Sequence, residues 1–182
     1  MFSDVNETTV AEETADLQAV FPYAQQSFFN RLYDLYPPSD YNSTFFQRQQ
    51  IFGDFIISCP TYYMGRASAD FGQPTWKLLF DAGSELHAAT APFLFSMNDT
   101  EIGNTTIGDI MKDWFLSFTL HLDPNVQSFT SASKPYWPQY VIPGSNNFTI
   151  MDVNYTQIGI EQDFDAKPGC DFFHAESYEV RN

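Results

Sequence analysis

Only two or three short segments of this 182-residue chain have the residue pattern of β-strands, whereas the longer periodic segments favour helices. Strands are indicated at 74–82, at 148–153 and, as the third, at 155–160, where β-branched and aromatic residues cluster. A self-sufficient α/β domain has a sheet of about five or six strands. We therefore expect a helix-rich α/β chain with an incomplete sheet, forming a single partial domain over residues 1–182.

The helix signals come from capping residues and from apolar residues at three- and four-residue steps. Thr9-x-x-Glu12 has the form of a capping box and predicts the start of a first short helix. Pro60 lies inside a long periodic segment and should kink that helix or end its first half. Thr106-x-x-Asp109 predicts the cap of a second strong helix. The segment with Pro60 covers about 42–63, and the helix capped at Thr106 covers about 106–122. Further helices are expected at about 25–36 and in the tail from 170.

The charge balance argues against two classes of partner, nucleic acid and anionic membrane surfaces. Acidic residues outnumber basic residues 23 to 8, which gives a formal net charge of −15. Nucleic acid and anionic membrane surfaces require a basic face, so neither is expected to bind. No apolar run is long enough to span a bilayer. Aromatic residues make up 18% of the chain, so either its surface is unusually apolar or part of it faces something absent here.

Glycosylation sequons and cysteines bear on the compartment. Six N-x-[ST] sequons, an excess over chance, indicate a glycosylated surface in the secretory pathway. They begin at Asn6, Asn42, Asn98, Asn104, Asn147 and Asn154. Cys59 and Cys170 are either two free thiols or one long-range disulfide, and an oxidising compartment favours the disulfide. The first residues have neither the basic nor the apolar region of a signal peptide, which predicts a missing N-terminal segment.

Three histidines are candidates for chemistry. His121 lies near the end of a helix, where an imidazolium acts as a cap, and His174 lies in an aromatic tail that favours packing. His87 follows a predicted strand within a loop of small residues, where an imidazole can face a cleft. The sequence contains no G-x-S-x-G, no H-E-x-x-H and no glycine-rich phosphate loop, and its cysteines lack metal-ligand spacing. We expect no metal, no cofactor and no catalysis by this chain alone.

Several short motifs occur together in a distinctive order. They are Gly53-Asp54, Ile57-Ser-Cys59-Pro60, Leu79-Phe80-Asp81-Ala82, Leu86-His87-Ala88 through Pro92-Phe93-Leu94-Phe95, Trp114-Phe115-x-x-Phe118, Asp123-Pro124-Asn125 and Trp137-Pro138-x-Tyr140. Over roughly residues 15–180 the chain resembles the C-terminal portion of type-B carboxylesterases, a family of the α/β-hydrolase fold. Within this family, the motifs resemble those of secreted fungal esterases and lipases more than those of cholinesterases.

The resemblance implies roles for three residues. His87 matches the family's catalytic histidine, the general base that activates the serine and then protonates the leaving alkoxide. Cys59 and Cys170 match a disulfide of the cholinesterase branch. The family's acid, nucleophilic serine and oxyanion loop lie upstream of this region, so the chain is expected to require a missing N-terminal part. Ala88 departs from the family, which usually has glycine directly after the histidine.

Two functions follow as expectations. The first is the C-terminal part of a secreted serine carboxylic-ester hydrolase, a carboxylesterase or lipase, that supplies His87 and is inactive alone. Its substrate would be a carboxylic ester. The alternative is a non-catalytic secreted glycoprotein that uses a cholinesterase-like surface for binding.

Overall fold

A computed structural model describes residues 9–83, 88–98, 102–141 and 148–176 of the chain. Its helices are α1 (Val10–Val20), α2 (Gln26–Leu35), α3 (Thr44–Gly53), α4 (Cys59–Asp70), α5 (Ala91–Phe95), α6 (Thr105–His121) and α7 (Pro168–Ala175). A 3₁₀ turn (Pro38–Asp40) precedes α3, and a π-helical turn (Asp54–Ser58) joins α3 to α4. Its strands are β1 (Leu78–Phe80), β2 (Thr149–Val153) and β3 (Ile158–Gln162). The helix-rich content and the three-stranded sheet confirm the predicted fold class.

The described residues divide into two compact units. The first unit runs to Met64 and resumes at Phe164, and the second runs from Gly65 to Asp163. The division falls inside α4, because this helix extends from Cys59 to Asp70. The expectation of one partial domain over the whole chain stays a prediction.

The first unit is helical and has an aromatic core. The Phe21 ring lies 5.0 Å from the Phe28 ring and 4.9 Å from the Phe55 ring, measured between centroids. Phe173 of α7 packs on the same cluster, 5.7 Å from Phe55. The predicted capping box of α1 is present, since the Glu12 amide donates to the Thr9 hydroxyl and the Thr9 amide donates to the Glu12 carboxylate.

Pro60 is accommodated by a break in the helix. A proline has no N–H, so it cannot donate to the carbonyl four residues earlier. Here α3 ends at Gly53, the π-helical turn follows, and Pro60 becomes the second residue of α4. The Thr61 hydroxyl donates to the Ile57 carbonyl at 2.6 Å and satisfies an acceptor at this junction.

A disulfide joins Cys59 to Cys170 within the first unit. The bonded residues are separated by 111 positions in the chain, and both side chains are buried. It fixes the start of α4 against α7. The structure thus contains the bridge that the oxidising compartment favoured over two free thiols.

Glu13 is an acidic residue buried within the first unit. Its side chain is 3% exposed, and its Oε1 atom has no hydrogen-bond partner among the described residues. Burial raises the pKa of this carboxyl above its usual range, and the attraction of Arg48 offsets only part of that rise. The folded state therefore holds this proton more tightly than the unfolded state does.

Replacing this residue (Glu13→Gln) is expected to stabilise the chain at pH 7 but not at pH 4. A raised folded-state pKa contributes stability below the unfolded pKa, and that stability is lost as the pH rises through the folded pKa. Glutamine removes this dependence. Urea unfolding of both proteins at pH 4 and pH 7 measures the difference, and an identical difference at the two pH values would contradict the assignment.

The second unit contains the sheet and two helices that cover it. β1 pairs parallel with β2, Leu78 opposite Met151, and β2 pairs antiparallel with β3, Met151 opposite Ile160. The order is β1-β2-β3. The core lies between one sheet face and helices α5 and α6, and its buried residues are Ala82, Phe93, Ile102, Ile107, Ile110, Met111, Trp114, Trp137, Met151 and Val153.

The cap of α6 differs from the prediction. Thr106-x-x-Asp109 was expected to cap this helix, but the helix begins at Thr105 and its cap is Asn104. The Asn104 Oδ1 atom accepts a hydrogen bond from the Ile107 amide at 3.1 Å. Asparagine is among the strongest N-cap residues, and the two-residue shift leaves Thr106 inside the first turn.

Candidate active site

The candidate site lies at the carboxyl ends of β1 and β2. Because these strands are parallel, both of their carboxyl ends lie at one edge of the sheet. Open α/β sheets bind ligands at this edge. The Asp81 amide donates to the Val153 carbonyl at 2.8 Å, which extends the pairing one residue beyond β1.

The segment that leaves β1 is anchored before it reaches His87. Ala82 is buried in the core of the second unit. Gly83 has φ +86°, a left-handed conformation that favours glycine. A Cβ atom at Gly83 would lie 3.2 Å from the Tyr155 hydroxyl, so Tyr155, which follows β2, packs directly across this turn. Residues 84–87, including His87, lie outside the described residues, and the catalytic role of His87 stays a prediction.

The segment is anchored again directly after His87. The Ala91 amide donates to the Ala88 carbonyl at 2.9 Å, forming a turn that leads into α5. Phe93 of α5 is buried, and its ring lies 5.0 Å from the ring of Phe80 at the end of β1. The residues on both sides of 84–87 are therefore fixed to the same end of the sheet.

Ala88 has φ +65°, where a side chain is strained. The methyl group in this left-handed conformation costs roughly 1–2 kcal/mol per residue. A glycine at this position would adopt the same conformation without that cost. Alanine in place of glycine at position 88 thus adds backbone strain to this turn.

Replacing this residue (Ala88→Gly) is expected to raise the free energy of unfolding by about 1 kcal/mol. The matched control is Ala89→Gly, because Ala89 has no positive φ and should lose roughly 0.5 kcal/mol or more. Urea unfolding of the three proteins measures both changes. Destabilisation by both substitutions would contradict the strained turn.

Asp152 of β2 is a buried carboxylate that sequence reasoning missed. Its Oδ2 atom accepts a hydrogen bond from the Asn154 side-chain amide at 2.6 Å. Its Oδ1 atom is buried and has no partner among the described residues. The alternation of the strand pattern gave no signal for it, since an isolated Asp among apolar residues looks like a solvent-facing position. Near the carboxyl end of β2 there is therefore a buried carboxylate with one oxygen paired to Asn154 and the other unpaired among the described residues.

The other two histidines lie within the described residues. His121 is the last residue of α6, close to the helix end where it was expected, and its Nε2 atom lies 2.9 Å from the Gln127 side-chain oxygen. His174, in the first unit, is exposed and stacks on the Tyr63 ring at 3.9 Å between centroids. Among the described residues, no three His, Cys, Asp or Glu side chains form a group that could hold a metal ion.

The sequon asparagines differ in their surroundings. Asn42 and Asn98 are exposed, and Asn104 uses its side-chain oxygen as a helix cap. Asn154 has both side-chain amide atoms engaged. Its Nδ2 atom donates to Asp152, and its Oδ1 atom accepts from the Thr156 and Gln157 amides. Asn6 and Asn147 lie outside the described residues. Glycosylation at all six stays a prediction.

No helix within the described ranges is long and apolar enough to cross a membrane.

Comparison with known proteins gives a likeness of fold. No protein-family model matches the sequence, and no curated protein matches it. The structure is similar to the crystal structure of Aspergillus niger EstA, an esterase, with a TM-score of 0.79 and 16% sequence identity. The match covers 97% of this chain and 38% of that chain, so this chain spans well under half of EstA's length. The chain therefore shares the fold of the matched part of EstA, a helix-rich α/β arrangement with an incomplete three-stranded sheet.

Proposed function

We propose that this chain supplies His87 to a serine carboxylic-ester hydrolase, a carboxylesterase or lipase. The observation that carries the proposal is the likeness to an esterase fold over 97% of the chain. In that fold, the His87 segment follows the carboxyl end of a parallel strand, which is where α/β sheets bind their ligands. His87 would take the proton of a serine hydroxyl and return it to the leaving alkoxide.

The chemistry requires groups that residues 1–182 do not contain. A serine on a strand-to-helix turn has the motif G-x-S-x-G, which is absent from the sequence. We place the nucleophile, the oxyanion donors and the catalytic acid in polypeptide outside residues 1–182. The match to only 38% of EstA supports this placement. So does the position of β1, because a parallel pair at the edge of a three-stranded sheet is usually covered and extended by further structure.

The compartment in this proposal is extracellular. A disulfide between buried cysteines persists in oxidising environments and is rare in the cytosol. The six sequons agree with passage through the secretory pathway. The substrate class, carboxylic esters, follows from the proposed acyl transfer.

The direct test is ester hydrolysis by the purified chain. We expect no hydrolysis of p-nitrophenyl butyrate above the buffer rate, because an imidazole without its serine and oxyanion donors lacks the groups that carry catalysis. The His87→Ala variant should give the same rate. Hydrolysis by the wild-type chain that disappears in His87→Ala would overturn the requirement for outside residues.

A further inference from the structure

An aromatic cleft of about 370 Å³ lies in the second unit. Its described lining residues come from the end of α4, the approach to β1, helix α6 and the loops that follow it. They are Ser68, Gln73, Pro74, Thr75, Trp76, Trp114, Phe115, Phe118, Pro124 and Trp137. No described lining residue is charged, although the chain has a net charge of −15. The cleft thus combines aromatic walls with an uncharged rim.

The indole N–H groups of the three wall tryptophans all donate to backbone carbonyls. Trp76 Nε1 donates to the Trp137 carbonyl at 3.1 Å, and Trp137 Nε1 donates to the Lys77 carbonyl at 3.3 Å. Trp114 Nε1 donates to the Pro135 carbonyl at 3.1 Å. Each indole is held in place by a bond to the backbone. The walls therefore present ring carbons in a preformed arrangement.

Two phenylalanines of α6 leave apolar area exposed at the cleft. Phe115 is 43% exposed and Phe118 is 44% exposed. The Phe118 ring meets the Trp76 ring edge-on at 5.8 Å, and the Phe115 ring lies 6.5 Å from the Trp137 ring. Aromatic pairs prefer such offset and edge-to-face geometries, and a further ring can extend them. Covering this area with an apolar ligand would be favourable.

We propose that this cleft binds a neutral aromatic small molecule. An anion would lose hydration without gaining a counter-charge from the lining, and it would also be repelled by the acidic chain. The volume lies within the range of small-molecule sites, about 300–1,000 Å³. Trp76 precedes the amino end of β1, whereas the His87 segment follows its carboxyl end. The site is therefore separate from the proposed ester-hydrolysis site and does not depend on it.

Fluorescence titration of the purified chain with N-phenyl-1-naphthylamine, a neutral aromatic probe, tests the proposal. We expect saturable binding with energy transfer from the cleft tryptophans. Phe118→Gln should weaken binding roughly tenfold or more, because it removes one aromatic wall. The matched control is Leu120→Gln, since Leu120 is exposed on the same helix but does not line the cleft. Circular dichroism and urea unfolding establish that both variants are folded.

Several outcomes would overturn the proposal. They are non-saturable binding, equal weakening by Phe118→Gln and Leu120→Gln, and equal affinity for an anionic sulfonate analogue of the probe. A chain that self-associates through the cleft, shown by light scattering and reversed by Phe118→Gln, would make the cleft an interface between copies instead. Retained binding in Leu120→Gln together with loss in Phe118→Gln supports the site.

Discussion

Replacing Cys59 and Cys170 together by serine is expected to lower the free energy of unfolding by about 4 kcal/mol. The bridge closes a loop across 111 positions of the chain, and long loops give the largest entropic stabilisation. Both cysteines are also buried, so each serine of the variant would place a hydroxyl in a site that water does not reach. The melting temperature should fall by roughly 10 °C for a chain of this size.

Urea unfolding and calorimetry measure the two quantities. The reduced wild-type chain is the control, because it should unfold at nearly the same urea concentration as the double variant. The buried position of the bridge also predicts slow reduction without denaturant. A change smaller than about 1 kcal/mol would mean that packing around α7 holds the first unit without the bridge.

The second large effect is expected at Asp54, which is fully buried in the first unit. Its Oδ1 atom accepts hydrogen bonds from Lys167 at 2.8 Å and from Gln50 at 2.9 Å. Its Oδ2 atom accepts from the Tyr36 hydroxyl at 2.8 Å. Burial and the nearby Asp54 charge raise the pKa of Tyr36, so the phenol stays protonated and continues to donate. Asp54 thus links α2, α3 and the start of α7.

Asp54→Ala should cost about 3–5 kcal/mol, because it leaves the Lys167 ammonium and the Tyr36 hydroxyl without their acceptor. The matched control is Asp171→Ala. Asp171 also accepts a hydrogen bond from a tyrosine hydroxyl, that of Tyr63 at 2.6 Å, but Asp171 is exposed. Its replacement should therefore cost about 1 kcal/mol or less. Urea unfolding compares the two variants. Equal losses would show that burial of Asp54 adds nothing.

The first unit was largely predictable because its signals are local. The Thr9 and Glu12 capping box forms within four residues, and the buried residues of α2 recur at three- and four-residue steps. Pro60 predicted an interruption, although not that a π-helical turn would form it. The Asp54 network depends on Lys167, which lies 113 residues away, and no local pattern reports such a contact.

The second unit was predicted less well, because pairing decides where its strands end. Residues 74–82 have strand character, but the Thr75 carbonyl accepts from Tyr140 outside the sheet, and β1 covers only Leu78–Phe80. The third strand begins at Ile158 because Asn154 holds the preceding residues in a turn. Asn104 and Thr106 both fit a helix cap, and only the hydrogen bond to Ile107 distinguishes them. His87 was a candidate from its loop of small residues, and its catalytic role was implied by the family resemblance.

The most direct test of the central proposal is the turnover number of the native ester hydrolase with each histidine replaced. The protein would be expressed from its own gene and captured with an antibody to residues 151–176. We predict that His87→Ala lowers kcat about 10³-fold or more, since it removes the general base. His121→Ala and His174→Ala should stay within about twofold, because both replace exposed side chains. Undiminished hydrolysis in His87→Ala, or none by the native protein, would contradict the account.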